Sequence, residues 1–130
     1  RYDLEGPSGF ALVDNRSFFR AISPEGVRFQ IRKGKNYPLK ELEFWSATFV
    51  RHMEESGYQK KDDGKIFETA TGVRGYAVEW GLSMGNRDYL YLTAIVPYKK
   101  TIFIIEAAGE HNIFRNYREA VYSAMESFSP

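Results

Sequence analysis

The pattern of hydrophobic and polar positions is most regular between residues 76 and 108, where it predicts three β-strands in succession. In residues 76–84 large apolar side chains occupy every second position, and successive side chains of a strand point to opposite faces of a sheet. Residues 89–96 and 101–108 are apolar on both faces except at Thr93 and Glu106. The connections between the three segments are too short for a parallel crossover, so the pattern predicts an antiparallel meander.

A hairpin is predicted before this meander. Residues 17–22 and 27–33 flank Ser-Pro-Glu-Gly, a sequence that is typical of a tight turn. The second of these strands alternates strictly, with Val27, Phe29 and Ile31 on the predicted inner face and a basic outer row that includes Arg28 and Arg32. Around Asp62-Asp63-Gly64-Lys65, the flanking residues predict a second hairpin or a bent strand pair.

Two helices are predicted to cover the sheet. Between Pro38, which suits a first helical turn, and Gly57, a typical C-terminal stop, apolar residues recur at helical spacing. Phe44 is the one aromatic side chain on the polar side of this helix. The second predicted helix spans residues 112–128, with Asn112 as its N-cap.

Strands that are apolar on both faces need cover on both faces, because a sheet open to water on one side shows alternation throughout. The fold class predicted is therefore α+β, an α/β/α sandwich with a mainly antiparallel sheet of six to seven strands and a long helix on each face. Residues 1–130 form a single predicted domain, with residues 1–9 as a loose lead-in.

Composition narrows the function classes. The chain has 130 residues, of which 43% are hydrophobic and 16% aromatic, as in a globular domain. Lysine and arginine total 18 against 17 acidic residues, so no strong field favours a nucleic acid as partner. No apolar run is long enough to span a bilayer, and there is no cysteine to form a disulfide. The first residue is Arg1, which is compatible with an upstream signal peptide or lipid-anchoring cysteine.

Motifs for cofactors and metals are absent from the sequence, since no H-E-x-x-H, calcium-loop or phosphate-loop pattern occurs. The letters G-x-S-x-G do occur at residues 81–85, but the pattern predicts a strand that runs into a turn and a second strand there, whereas a nucleophile elbow needs a strand followed by a helix. The two histidines, His52 and His111, are interpreted as ordinary helix residues rather than as a metal pair. We predict no cofactor, no metal and no catalytic residue.

Glu79 and Glu106 each interrupt an otherwise apolar strand and are the candidate pocket residues, because burying a lone carboxylate is costly. If both open onto one cleft within about 10 Å, they could act as a general acid/base pair or as the floor of a ligand site. The favoured interpretation is that each carboxylate pairs with an arginine or lies at a solvated edge.

A candidate contact surface comprises Phe44, Arg28 and Arg32. The basic residues of 28–35, with Tyr37 to stack a base, could also contact phosphates. The balanced net charge instead favours a solvated edge strand, whose charges prevent unwanted pairing.

The hairpin around SPEG, the helix PLKELEFWSATFVRHMEESG, the run of antiparallel strands and the closing SAMESFSP together resemble the Mog1/PsbP-like α/β/α sandwich over most of residues 16–129. That family includes photosystem II extrinsic subunits, a nuclear GTPase-binding factor and bacterial secreted lipoproteins. The resemblance implies a non-enzymatic domain that binds another protein, located in the bacterial cell envelope or secreted. It carries over no functional residue, and the alternative is a small-ligand-binding protein or hydrolase with a Glu79/Glu106 cleft.

Overall fold

The structure, a computed structural model, describes residues 2–14 and 19–130. In these ranges eight antiparallel strands and three helices follow one another, so the chain is α+β as predicted. The elements are β1 (Ala11–Asp14), β2 (Arg20–Ile22), β3 (Arg28–Lys35), α1 (Leu42–Glu55), β4 (Gln59–Lys60), β5 (Lys65–Glu68), β6 (Arg74–Met84), β7 (Arg87–Tyr98), β8 (Thr101–Glu110), α2 (His111–Phe114) and α3 (Arg118–Glu126).

The predicted meander is confirmed as β6, β7 and β8, all antiparallel. The first reversal is a two-residue turn in which Gly85 has a φ of 63°, a left-handed conformation that glycine adopts without steric cost. β7 continues beyond the predicted end at residue 96, through Pro97 to Tyr98. Pro97 is tolerated because the pairing of β7 with β6 has already stopped at Ile95, so β6 requires no N–H donor there.

The sheet has the strand order β1-β2-β3-β8-β7-β6-β4, and β5 also pairs with β6. It therefore holds eight strands rather than the six or seven predicted. β2 and β3 form the predicted hairpin, although the start of its first strand, in residues 15–18, lies outside the described residues. β3 lies between β2 and β8, so the interpretation of its basic residues as those of an edge strand was wrong.

Residues 59–68 form an interrupted edge strand rather than the hairpin, which was one of the two arrangements predicted. β4 and β5 do not pair with each other, and both pair antiparallel with β6. Asp62 lies in the interruption, where its Oδ1 accepts hydrogen bonds from the backbone N–H groups of Gly64 (3.0 Å) and Glu79 (3.2 Å). The Asp-Asp-Gly segment thus makes a side-chain-supported turn that returns the chain to the same strand.

Each face of the sheet carries its own core, and we name the faces by the helix that lies on each. On the α3 face, fully buried residues of β3, β7 and β8 pack against the final helices, among them Phe29, Leu92, Ile105, Phe114, Val121, Met125 and Phe128. On the α1 face, Val78, Trp80, Ile95 and Ile102 pack beneath Leu42, Phe49 and Met53. Both faces carry apolar packing, as the two-sided strands predicted.

The helices are shorter than predicted, and this corrects the expectation of a long helix on each face. α1 has 14 residues and begins at Leu42, after Pro38 rather than at it. The single helix predicted over residues 112–128 is divided into α2, with four residues, and α3, with nine. Between them Tyr117 has φ −110° and ψ 0°, and its ring packs edge-on against Phe10 at 5.3 Å. The helix is therefore interrupted at the residue that packs on the N-terminal segment, and the helical periodicity of residues 112–128 does not show this interruption.

The N-terminal segment is attached rather than loose. Asp3 and Ser129 exchange two backbone hydrogen bonds of 2.7 and 2.8 Å. Tyr2 packs against Phe103 and Phe128, with ring centroids 5.7 and 5.5 Å apart. The segment therefore closes the core of the α3 face.

One part of the α1 face lies open. Helix α1 packs on β6 and β7 and reaches the start of β8, where Ile102 and Ile104 contact its cluster. The neighbouring surface comprises the side chains that β2, β3 and the end of β8 project from the same face: Arg20, Ile22, Arg28, Gln30, Arg32 and Ala108. The main contacts of α1 are with β6 and β7 rather than with these strands, and Ile22 and Arg28 are exposed. We call this surface the open sheet region.

Candidate functional site

Glu79 and Glu106 lie on opposite faces of the sheet. Directly paired residues of antiparallel strands share a face, and Glu79 pairs with Leu92, which in turn pairs with Ala107. Glu106 is the next residue along β8 and pairs with Thr93, so its side chain points the other way. The hypothesis of a single cleft between the two carboxylates is therefore wrong, and with it the acid/base pair.

Glu106 is at the inner border of the open sheet region, where four hydrogen bonds hold its carboxylate. Arg32 donates from Nε to Oε1 at 2.8 Å and from Nη2 to Oε2 at 3.1 Å. Gln30, its direct partner across β3 and β8, donates to Oε1 at 2.6 Å, and the Tyr91 hydroxyl donates to Oε2. The Glu106 side chain is 7% exposed and that of Arg32 is 46% exposed. The carboxylate of this ion pair is therefore buried, whereas the guanidinium group of Arg32 is open to solvent.

These contacts decide the protonation states in the cluster. Burial opposes ionisation of Glu106, but the hydrogen bonds from Arg32, Tyr91 and Gln30 outweigh burial and hold its pKa below the ordinary value. Burial and the hydrogen bond to Glu106 raise the pKa of Tyr91 well above the ordinary value for a phenol. At neutral pH Glu106 is a fully bonded carboxylate and Tyr91 a neutral phenol, so neither group is poised for proton transfer.

Glu79 has an equivalent arrangement on the α3 face. Arg118 donates from Nε to Oε2 at 3.0 Å and from Nη2 to Oε1 at 2.9 Å, a bidentate pair, and the Tyr122 hydroxyl donates to Oε2 at 2.9 Å. Arg118 and Tyr122 are four residues apart on α3, so both point at the same spot on β6. Burial, followed by the charge of Glu79, raises the pKa of Tyr122, which stays protonated.

A groove of about 710 Å³ lies beside Glu79 and is lined in part by Asp62, Lys65 and Arg115. Two of these polar groups have partners within the fold, because Asp62 accepts two backbone N–H groups and the Lys65 ammonium lies 4.4 Å from the centre of the Tyr122 ring. Each of the two glutamates is thus paired with an arginine, as the favoured interpretation expected. The Glu79 cluster fastens α3 to the sheet.

The structure brings the three candidate contact residues to one side of the molecule. Arg28 and Arg32 project from β3 on the α1 face, and Phe44, 44% exposed, lies on α1 beside Trp45. The two rings meet edge-on at 5.0 Å, and the Trp45 indole donates to Asn36, directly after β3, at 2.7 Å. Phe44 therefore lies at the N-terminal end of α1, where the Lys40 ammonium is 5.3 Å from the centre of its ring. Their role as a contact surface stays a prediction.

The basic residues of β3 do not form one phosphate-binding patch. Successive side chains of a strand alternate between faces, so Lys33 and Lys35 project opposite to Arg28 and Arg32. In addition, Arg32 is engaged by Glu106. This arrangement gives no support to nucleic-acid binding through the strand.

The two histidines, His52 and His111, are both exposed side chains. Across residues 2–14 and 19–130, no three His, Cys, Asp or Glu side chains come together in a way that could hold a metal ion. In the same ranges, no helix has the length and apolar character needed to cross a membrane.

Sequence reasoning identified the two glutamates but not the residues that hold them. The pairing of Arg118 and Tyr122 at positions i and i+4 of a helix was a readable signal, and so was the spacing of Gln30 and Arg32 on one side of a strand. Neither signal says which carboxylate lies opposite, because that depends on strand register and helix docking.

Comparison with protein-family models finds no match for this chain, and comparison with curated proteins finds none. Solved structures do match. A protein of unknown function from Pseudomonas aeruginosa, PA94, has a TM-score of 0.71 at 11% identity, covering 95% of this chain and 98% of that one. LpqN of Mycobacterium tuberculosis, involved in cell envelope biogenesis, has a TM-score of 0.68 at 16% identity, covering 99% and 83%. The cyanobacterial PsbP (CyanoP) of Synechocystis has a TM-score of 0.63 at 10% identity, covering 98% and 85%.

These likenesses show the fold. The chain shares an architecture with a PsbP protein and with LpqN, which agrees with the fold that the sequence resemblance implied. At 10 to 16% identity, no residue or activity of those proteins passes to this chain.

Proposed function

We propose that this chain is a non-catalytic domain of the bacterial cell envelope that binds another protein through the open sheet region and the adjoining Phe44. The envelope assignment is supported by the fold shared with LpqN, a protein involved in cell envelope biogenesis, and with a cyanobacterial PsbP. The binding assignment is supported by the surface itself.

The observation that carries the proposal is the incomplete cover of the α1 face. Helix α1 packs on one part of that face, and the part formed by β2, β3 and the end of β8 presents Ile22, 37% exposed, and Arg28 to solvent. Arginine is enriched in protein interfaces, and an apolar side chain beside it supplies area that leaves water on contact. Arg32 is held by Glu106, so its side chain loses little freedom when a partner binds.

The chemistry of the two carboxylates supports a non-catalytic role. Both accept hydrogen bonds from an arginine and a tyrosine, and they lie on opposite faces of the sheet. This arrangement rules out the alternative of a hydrolase or ligand-binding protein that uses a Glu79/Glu106 cleft.

Site-specific photo-crosslinking in cells tests the proposal. A photoreactive phenylalanine analogue is placed at Phe44 or at Arg28, with a matched control at Glu126, which is exposed on α3 behind the sheet. We expect one discrete protein adduct from the first two positions and none from the control. Arg28→Glu in the Phe44-labelled protein should abolish that adduct.

Two results would refute the proposal. Adducts of equal yield from Glu126 would show that the crosslinks report random collisions. Turnover of a small substrate, insensitive to Arg28→Glu and without any adduct at Phe44, would replace a binding domain with an enzyme.

A further inference from the structure

One end of the molecule combines protruding apolar side chains with clustered lysines. Tyr37 and Leu39, in the loop between β3 and α1, are 84% and 69% exposed, more than any other large hydrophobic side chain in the described ranges. We call this end the lysine tip. It comprises the loop of residues 36–40, Lys35 at the end of β3, and Lys99-Lys100 in the turn between β7 and β8.

Asn36 holds the three parts of the tip together. Its buried side chain donates from Nδ2 to the backbone carbonyls of Lys40 and Lys99, both at 3.1 Å, and its Oδ1 accepts from the Lys40 N–H at 3.0 Å. Its own N–H donates to the carbonyl of Lys100 at 2.9 Å. The short loop that carries Tyr37 and Leu39 is therefore closed at its base, and its apolar side chains are presented without cover.

Charge is concentrated at the same place. Lys35, Lys40, Lys99 and Lys100 are all exposed and all lie on or beside the backbone that Asn36 ties together. The net charge of the whole chain is only +1, so this end is much more basic than the average of the surface. Of the two nearby carboxylates at the start of α1, Glu43 bonds to Arg74 at 3.1 Å, and Glu41, exposed beside Lys40, offsets one of the four lysine charges.

We propose that the lysine tip docks the domain on a bilayer of anionic phospholipid. Tyr37 and Leu39 would enter the headgroup layer, where an amphipathic tyrosine ring and an aliphatic side chain are both favoured. The surrounding lysines would remain among the lipid phosphates, each contributing about fivefold to the partition constant near an anionic surface. This function is separate from the Arg28 part of the proposed protein contact, because Arg28 lies at the opposite end of β3 from Lys35, whereas Phe44 adjoins the tip through the Lys40 ammonium, 5.3 Å from the centre of its ring.

The composition of the tip favours a membrane over an acidic protein. Lysine is depleted in protein–protein interfaces, whereas arginine is enriched, and the tip has four lysines and no arginine. Tyr37 is 84% exposed on its loop, and Leu39 is 69% exposed although it lines the rim of a groove of about 520 Å³. A projecting apolar residue inside a ring of lysines is the pattern of an interfacial membrane contact.

Co-sedimentation with vesicles tests the proposal, using phosphatidylglycerol mixed with phosphatidylcholine and pure phosphatidylcholine as the comparison. We expect binding to the anionic vesicles only, weakened by salt because the charges are exposed. Lys35→Glu/Lys100→Glu should weaken binding at least about tenfold. Lys99 is left unchanged because its φ of 56° makes substitution there a source of strain. The matched control, Lys60→Glu/Lys61→Glu, changes an equally exposed lysine pair on the far edge of the sheet and should bind almost as wild type.

A second set of variants tests insertion. Tyr37→Ser/Leu39→Ser should weaken binding about as strongly, and Ile66→Ser/Met84→Ser serves as the control with exposed apolar residues elsewhere. In Tyr37→Trp, the new indole should shift its emission to shorter wavelength on anionic vesicles. Circular dichroism of every variant verifies that the fold is retained.

Several outcomes would overturn the assignment. Wild-type protein that does not sediment with anionic vesicles, or a loss of binding that is equal for the two lysine pairs, would do so. Capture of an acidic protein by the tip, without vesicle binding and without the shift in tryptophan emission, would reassign this end to a protein contact.

Discussion

Replacement of Arg118 by methionine should destabilise the fold much more than the same replacement at Arg32, although both arginines bind a buried glutamate. Arg118 is the only arginine on Glu79 among the described contacts, and without it the carboxylate keeps the Tyr122 hydroxyl alone. In the other cluster, Glu106 would keep two donors. The two substitutions are closely matched in side-chain chemistry and exposure, with 42% for Arg118 and 46% for Arg32.

The magnitude follows from what each carboxylate retains. Removing one partner of a fully buried ion pair costs about 3 to 5 kcal/mol, because the other charge is left buried and unpaired. Arg118 is partly exposed and its interaction is screened, so we expect a loss of about 2 to 3 kcal/mol for Arg118→Met. Arg32→Met should cost about 1 kcal/mol, because Glu106 keeps its hydrogen bonds from Gln30 and Tyr91 when Arg32 is removed.

Urea denaturation followed by tryptophan fluorescence measures both free energies of unfolding, because Trp80 is fully buried in the folded chain. Adding Glu79→Gln to Arg118→Met should recover about half of the loss, since a neutral amide no longer has to be buried as a charge. The reasoning would be refuted if Arg118→Met cost no more than Arg32→Met, or if Glu79→Gln made the Arg118 variant less stable.

Three further predictions concern other sites. The pKa of Glu106 is lower in the fold than its ordinary value of 4.5. The contribution of Glu106 to stability is therefore present above pH 4.5 and is lost as the pH falls through the lower pKa. Glu106→Gln should remove this part of the acid dependence, as measured by urea denaturation at a series of pH values. A Cβ at Gly75 would lie 2.7 Å from two ring carbons of Phe67, so Gly75→Ala should cost about 1 to 3 kcal/mol, and less in a Phe67→Leu background, by thermal unfolding. The Trp80 indole donates to the Thr93 hydroxyl at 3.0 Å in the core, so Trp80→Phe should cost about 2 kcal/mol, and the double variant with Thr93→Val should cost less than the sum of the single changes.

The meander was predictable because its information is local. The alternation in residues 76–84 and the short connections that follow determine strand, direction and neighbour without reference to any distant residue. The start of α1 was not predictable in this way. Asn36 and Lys40 close the preceding loop through a side chain, and the helix begins only at Leu42.

The identity of the glutamate partners depended on long-range geometry. Gln30 lies opposite Glu106 because of the register between β3 and β8, two strands separated by 76 positions at this pair. Arg118 reaches Glu79 because α3 is docked over β6, which the apolar stripe of residues 112–128 does not specify. The sequence indicates that a buried carboxylate needs a cation, but strand register and helix docking determine which cation binds it.

The two clusters also explain why the faces of the sheet can differ in cover. On the α3 face the arginine that binds Glu79 comes from the helix, so the sheet charge is compensated only while α3 is in place. On the α1 face the arginine that binds Glu106 comes from β3, and the glutamine comes from the same strand. The sheet satisfies that carboxylate with its own side chains and needs no helix there. The buried carboxylate beside the open sheet region is therefore compensated while that region is uncovered, which is the condition that a surface must meet if the domain is to fold first and bind its partner afterwards.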